Sequence, residues 1–534
     1  MRPHELLFYG GTIQTLDEAR PAAEAVAVQD GVIITVGSLS ECRAALGPGF
    51  EPLDLKGATL LPGFCDCHVH PFSTVFYNMN TNLLGVRDMG ELIRRLAAAE
   101  REKSGNGWII GCNFDEQHFG EPRMPTRYDL DRVSPCRPVI VMRHDGHSVL
   151  ANSHALEAAG ISASTPEPAG GIMDRDEHGE PLGIFRENAV PLILNHVPMP
   201  GMEELVAGTQ KTFGIMLGCG ITSVGAILQT DPYGPGGRIG AFDLPLLELL
   251  REHIPQALYL LLMGRDTEAI TKAKASCLQG AASSGRTRVG GLKIIADGTF
   301  GSSTAAMQTP YSDQPDNAGF LLYEEDALFD LMSKTHCAGY QLAIHAIGDR
   351  ANRLCIDLYS RLLQNYPRPD HRHRIEHAAM MDAAMLRQVK ELGLVLSMQP
   401  MFIHSDSPFL EKRIGRARME YTYPLRSILH EGIPLAGSSD SPVETQRVLA
   451  AVECAVTREG YVPGQTISVA QALAMYTKHA AYAQFEEDRR GTISPGKRAD
   501  LVSLSADPLR VRPEEIHAIE VCTTVIDGEV LYSR

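Results

Sequence analysis

The sequence predicts an α/β fold of parallel strands joined by helical crossovers, with a small β domain assembled from both ends of the chain. Three observations carry that reading. The middle of the chain alternates strand-like and helical patterns, as parallel sheets with crossover helices require. Both ends read instead as short strands and turns. The length, 534 residues, exceeds an ordinary single domain, yet a barrel of alternating strands and helices with insertions uses most of it. A hydrophobic content of 44% and a charged content of 21% are ordinary for a globular protein, so a sizeable core can be buried.

In chain order, Leu6–Tyr9 reads as a strand, followed by a turn at Gly10-Gly11 and a second strand at Thr12–Leu16. Ala25–Val28, the Asp30-Gly31 turn and Val32–Val36 form a hairpin signal. Asp88 starts a helix with Glu91 at the capping-box position and Leu92, Ile93 and Leu96 on one face. Residues 108–190 break the rhythm, being rich in Gly, Pro, Asn and Asp, and are expected to form an insertion beside the barrel mouth. Leu292–Ala296 is a strand; Leu328, Leu331 and Met332 mark a helix closed by Gly339; Gln341–His345 is a strand, with a helix after Asp349 carrying Leu354, Leu358 and Leu362. His373–His377, Val395–Gln399 and Ile433–Gly437 continue the strand series, and Ser468 caps a helix through Ala472, Met475 and Tyr476. The end of the chain repeats the texture of the start, with Ala499–Leu504, Thr523–Ile526, an Asp527-Gly528 turn and Glu529–Tyr532. The domain expectation is a composite β unit from residues 1–60 and 485–534 around a barrel at 61–484.

A formal charge of −16 disfavours nonspecific nucleic-acid binding and offers no polybasic handle for an anionic membrane. Met1-Arg2-Pro3-His4-Glu5 leads into a strand without an apolar signal core, and the longest apolar run, Ala257–Met263, is far too short to span a bilayer. The 11 cysteines are scattered, and the Cys65-x-Cys67 pair has no second pair to complete a zinc ribbon. Reduced thiols in a cytoplasmic protein are the expectation. No G-x-S-x-G nucleophile elbow is found.

The strongest local signal is Leu61-Pro62-Gly63-Phe64-Cys65-Asp66-Cys67-His68-Val69-His70. Residues two apart on a strand share a face, so His68 and His70 can present both imidazoles to one metal. Asp66 lies on that face as an acceptor that orients a ligand, while Cys67 points away and packs. Lys293 sits within an apolar strand, where a lysine must be paired, snorkelling or modified.

The Leu61–His70 segment resembles the first-strand motif of the amidohydrolase superfamily. Trp108–Asp115, Gly146-His147, Asn152–Leu156, Gly170–Met173, Gly183–Glu187, Asp297–Ser302, His345–Arg350, Ser397–Pro400 and Gly491–Asp500 resemble its amidohydrolase 3, YtcJ-like branch, which includes N-substituted formamide deformylases. The resemblance covers nearly the whole chain. It implies a (β/α)8 TIM-like barrel with a small β-sandwich domain from both termini. It also implies His345, His377 and Asp440 as further metal residues at successive strand ends, with a divalent metal, zinc in the first instance, one or two per chain. Lys293 matches a fourth-strand lysine that can be carboxylated to bridge two metals; the other reading is an unmodified lysine contacting substrate or a carboxylate. The implied reaction is hydrolysis of an amide or N-formyl C–N bond of a small molecule, with Asp440 as proton shuttle. Deaminase or cyclic-amide chemistry, or a noncatalytic binding barrel, are the alternatives. His147, Glu187 and Gln399 are expected at the substrate; Glu187 could equally reach the metal or hold the insertion in place. A homodimer is implied at family level only.

Overall fold

The computed structural model describes residues 4–102, 107–120, 123–144, 146–232, 234, 237–264, 266–281 and 285–534. Met1–Pro3 of the N-terminal stretch lie outside the described residues. Eight strands form one sheet in chain order: β1 (Phe64–Val69), β2 (Ile221–Gln229), β3 (Ala257–Met263), β4 (Thr287–Ile295), β5 (Gln341–Ala346), β6 (Arg374–His377), β7 (Val395–Met398) and β8 (Leu435–Gly437). Each pairs in parallel with the next.

β3 is apolar on both faces, as suits a strand covered by helices on one side and turned to a closed barrel interior on the other. In β3, Leu258, Leu260 and Leu262 join the large cluster shared with the crossover helices. Tyr259, Leu261 and Met263 meet Ile227 of β2 and Ala343 of β5. Residues of β3 and β5, separated by a whole strand, touch only across a barrel interior. The crossover helices bury one stripe each: Leu328, Leu331, Met332 and Thr335 in Glu325–Cys337, and Ile356, Tyr359 and Leu362 in Asp349–Asn365. Asp382 caps Ala383–Glu391 by accepting from the amides of Ala384 and Met385 at 2.8 Å, and Ser468 caps Val469–Met475 in a capping box with Gln471.

No regular ladder joins β1 to β8. The seam is closed instead by the backbone just beyond them: Asp440 N donates to His68 O at 2.9 Å, and His70 N to Ser441 O at 2.8 Å. Asp66 Oδ1 accepts from Ser439 N at 2.9 Å. Within β1 the register slips, because Asp66 pairs with Val224 and Val69 with Ala226, leaving Cys67 and His68 opposite Gly225 alone. This is a β-bulge, which re-aims side chains that strict alternation would send elsewhere.

A second sheet is built from both ends of the chain. Its order is Glu529–Ser533, Val521–Ile526, Leu501–Leu504, Thr59–Pro62, Glu5–Gln14, Ala22–Gln29, Val32–Gly37, with Glu51–Asp54 also beside Glu5–Gln14. The Asp30-Gly31 and Asp527-Gly528 turns hold all four residues at positive φ, as tight hairpins demand. The expected turn at Gly10-Gly11 is a correction: Glu5–Gln14 runs through as one strand with a register shift between Tyr9 and Ile13. A partner strand on each side keeps the chain extended where the glycine pair alone suggests reversal.

Between β1 and β2 the chain makes a third sheet, in the order Gly171–Arg175, Pro181–Glu187, Ser148–Ala151, Val139–Arg143, Ile109–Phe114, Thr81–Asn82. Helix Met89–Glu102 packs on it, with Glu91 N bonded to Asp88 Oδ1 at 2.8 Å. No helix among the described residues is long and apolar enough to cross a membrane, and every described cysteine is a free thiol.

A Cβ at Gly225 would sit 2.0 Å from Cys67 O, so the bulge in β1 needs a glycine opposite it. Gly225→Ala is expected to lose about 1–3 kcal/mol of stability, the usual cost of overpacking, read as a lower urea midpoint. An unchanged midpoint would mean that β1 can retreat from β2 at no cost.

Candidate metal centre

Three side chains converge at the mouth of the barrel. Nε2 of His68 and Nε2 of His70 each lie 3.2 Å from Oδ1 of Asp440, and the three donor atoms fall within 4.8 Å of one another. His68 comes from the bulged end of β1, His70 from the residue before helix Pro71–Met79, and Asp440 from the turn after β8. The same backbone bonds that close the barrel therefore set the spacing of this triad.

The protonation pattern explains what the triad lacks. Arg374 Nη2 donates to Glu376 Oε2 at 2.9 Å, and His68 Nδ1 lies 2.6 Å from that same oxygen. Burial opposes charge on Glu376, but Arg374 and then His68 hold its carboxyl well below the usual carboxylate range. Glu376 is thus acceptor-only, and Nδ1 of His68 must carry the proton. Its Nε2 is then a lone pair facing a carboxylate oxygen, and Oδ1 of Asp440 is buried without a hydrogen-bond partner. Lys293 Nζ, 3.0 Å from His68 Nε2, serves that nitrogen but leaves the oxygen unbonded, and a cation between nitrogen and oxygen would satisfy both. His68 is also held at about 4, first by burial and then by Lys293, so it stays neutral and competent as a ligand. The donor set fits a divalent metal: two imidazole nitrogens, a carboxylate, and an ordered hydrogen bond behind one imidazole.

Lys293 Nζ lies 3.0 Å from His68 Nε2 inside the barrel. Burial brings its pKa down to about 8. His377 stands beside the triad, with its ring 5.2 Å from that of His68 and its Nδ1 4.0 Å from Asp440 Oδ2. Its Nδ1 donates to Gln399 Oε1 at 2.8 Å, and the Gln399 amide donates on to Ser438 Oγ. The His345 ring lies 4.4 Å from that of His377, but its Nε2 is turned to Gly298 O at 3.2 Å and to Asp297 Oδ1 at 3.4 Å. A cavity opens above, lined by His147, His345, His377, Phe402, Asp440 and Glu444. His147 is delivered by the inserted sheet, 5.8 Å ring to ring from His345. Glu187 and Gln399 stand behind His147 and His377 and do not line this cavity.

Two expectations are corrected. Asp66 does not orient an imidazole; its carboxylate accepts the Ser439 amide and fixes the seam. Burial raises it to about 7. Cys67 does not point away from the barrel interior: with Cys65 it packs on Val395 and Ala436, which by register share the inner face with Arg374 and Glu376. The bulge turns both Cys67 and His68 inward.

Sequence reasoning missed Arg374, Glu376 and Asp297. Arg374 and Glu376 are two charges spaced by two in a buried four-residue strand, and the polar segment around them conceals their burial. Asp297 accepts the amides of Ala306, Ile347 and Gly348, tying the loops after β4 and β5 together. His377, Asp440 and Glu187 adopt positive φ of 68°, 56° and 50°. Such strain in non-glycine residues gathers where the surroundings fix a functional geometry.

Residues 51–532 match the amidohydrolase family. The chain is 31% identical over 543 residues to YtcJ of Bacillus subtilis, covering 99% of both chains. It is 28% identical over 546 residues to the N-substituted formamide deformylase of Arthrobacter pascens, covering 99% of this chain and 98% of that one. The crystal structure of an uncharacterized metal-dependent hydrolase from Pyrococcus horikoshii superposes with a TM-score of 0.75 at 27% identity, covering 95% of this chain and 99% of the other.

Glu444, on the cavity wall, is raised to about 8 by burial and by its neighbours Asp406 and Asp115, against a hydrogen bond from Ser405. In the unfolded chain a glutamate titrates near 4.3. The folded protein therefore keeps a proton that the unfolded chain has released, and stability falls as pH rises from about 4.5 to about 8. Glu444→Gln removes this dependence. Its urea midpoint, minus that of the wild type, should grow across the window and level off above it; a constant difference would mean that Glu444 is ionised throughout.

Proposed function

The chain belongs to the amidohydrolase family, and within it we propose a metal-dependent hydrolase that cleaves an amide or N-formyl C–N bond of a small molecule. The observation that carries this reading is the unpartnered Asp440 carboxylate oxygen, buried 3.2 Å from two imidazole nitrogens at the end of a barrel. Barrel enzymes place their chemistry at that end of the strands.

His68, His70 and Asp440 would hold the metal, with His345 and His377 as further ligands; zinc is the first choice, and manganese and iron accept the same donors. When bound, such a metal makes water a nucleophile at neutral pH and draws electron density from the substrate carbonyl. Lys293 would become a further anionic ligand once its neutral amine had added to CO2, a step that forms an N–C bond, opens one C=O π bond and releases one proton. Asp440 takes a proton from the attacking water and returns it to the leaving nitrogen. Its carboxylate is held for that work by the Asp440 N–His68 O bond, not by a flexible loop. Gln399 keeps the His377 ring in place, and Phe402, stacked on that ring at 5.8 Å between centroids, gives the cavity an apolar wall. His147 approaches from the inserted sheet and contacts the substrate.

The test is turnover of a panel of formanilides, N-acyl amines, cyclic amides and aryl amidines by protein reconstituted with zinc or manganese. The formanilides and N-acyl amines should release amine, and Asp440→Asn should lower kcat by about 10²–10⁴-fold, the span of a lost general acid–base group. Preference for amidines would move the reading to a deaminase. No turnover of any class, or turnover indifferent to Asp440→Asn, would contradict it.

A further inference from the structure

Glu187 carries more bonds than a substrate-contacting carboxylate should. Its side chain is 2% exposed. Oε2 lies 2.6 Å from His147 Nδ1, while Oε1 accepts from Thr304 Oγ1 at 2.6 Å and Ser302 Oγ at 3.3 Å. Its backbone amide donates to His147 O at 2.9 Å, so the two residues are tied twice. Glu187 ends one strand of the inserted sheet and His147 immediately precedes another, whereas Ser302 and Thr304 lie in the loop after β4. The carboxylate is thus the pin between insertion and barrel. The fit is tight: a Cβ at Gly298 would stand 2.7 Å from Glu187 Oε1 and 2.0 Å from Thr304 Oγ1. Glu187 itself is held at φ 50°, a conformation that a glutamate does not adopt without such constraint.

Building on the hydrolase reading above, we propose that Glu187 is a positioning residue: pinned to the barrel by Thr304 and Ser302, it fixes the tautomer and direction of His147, and His147 is the catalytic residue that the insertion supplies to accept the N–H of the scissile amide, while Asp440 delivers the proton to the leaving nitrogen. Thr304 donates its one hydroxyl proton to the Glu187 carboxylate, which has none of its own to give, so His147 Nδ1 donates to it as well. The ring edge opposite Glu187 then meets the substrate as an acceptor, on the same cavity wall as His345 and His377. In Glu187→Gln one carboxylate oxygen becomes an amide that can only donate. Thr304 keeps the oxygen, and His147 must accept at Nδ1 and move its proton to the other nitrogen.

The experiment has two readouts on the full-length, zinc-reconstituted protein. The first is the tautomer of His147 from long-range 1H–15N spectra of 15N-histidine-labelled protein, its signals assigned by their loss in His147→Asn. The wild type should show Nδ1 protonated, and Glu187→Gln the opposite tautomer with unchanged zinc content. The second is hydrolysis of 4-nitroformanilide by wild type, Glu187→Gln, His147→Asn and the double variant. Glu187→Gln should lower kcat about 10–100-fold, the usual effect of a residue behind a reacting one, with KM little changed. In the His147→Asn background it should add nothing, because the two act as one unit. An equal loss in both backgrounds, loss of zinc, or an unchanged tautomer would overturn the proposal. If the wild type does not cleave the formanilide, the formyl reading is what fails, and the tautomer comparison still decides the role of Glu187.

Discussion

The seam between β1 and β8 is the constraint on which the rest of the barrel depends. Eight parallel strands in chain order leave a first and a last edge, and unpaired edges are costly. Here the edges are joined by three polar links: Asp440 N to His68 O, His70 N to Ser441 O, and Asp66 to Ser439 N. The residues making these bonds are the candidate metal ligands and their neighbours. Closure of the barrel and spacing of the triad are therefore one event, and positive φ at Asp440 belongs to both. A change that opened the seam would separate His70 from Asp440 before it disturbed the outer helices.

The second organising feature is a line of buried charge running from the barrel interior to its mouth. Arg374 binds Glu376, Glu376 accepts from His68, and Lys293 lies on the far nitrogen of the same ring. Burying such groups costs several kcal/mol per ion unless each is paired and bonded. The line ends at Asp440 Oδ1, which hydrogen bonding among the described residues leaves open beside the two imidazoles. The charges decide which imidazole nitrogen of His68 carries a proton, and so which one presents a lone pair.

Much of this was legible in the sequence because it is local. The H-x-H pair is readable from strand alternation, and it survives because the bulge falls before His68, not between His68 and His70. Cys67 was misplaced by the same alternation, since a bulge depends on Gly225 of another strand. Lys293 stood out as one charge in an apolar run. Arg374 and Glu376 did not, because His371-Arg372-His373-Arg374-Ile375-Glu376-His377 is polar at every position but Ile375 and hides which charges turn inward. The anchoring of His147 by Glu187 and Thr304 was beyond reach, since those residues are brought together only when insertion and barrel dock. Gly10-Gly11 misled for the related reason that flanking strands override a local turn preference.

The central claim is that a cation completes the triad of His68, His70 and Asp440. Anomalous diffraction at the zinc, iron and manganese edges, on crystals of protein purified without chelator, tests it most directly. A peak within coordination distance of His68 Nε2, His70 Nε2 and Asp440 Oδ1 is predicted, and a second peak next to it would bring Lys293 in as a bridge. No peak at that point, even after soaking with each metal, would contradict the account and leave the buried Asp440 oxygen facing imidazole for a reason other than metal binding.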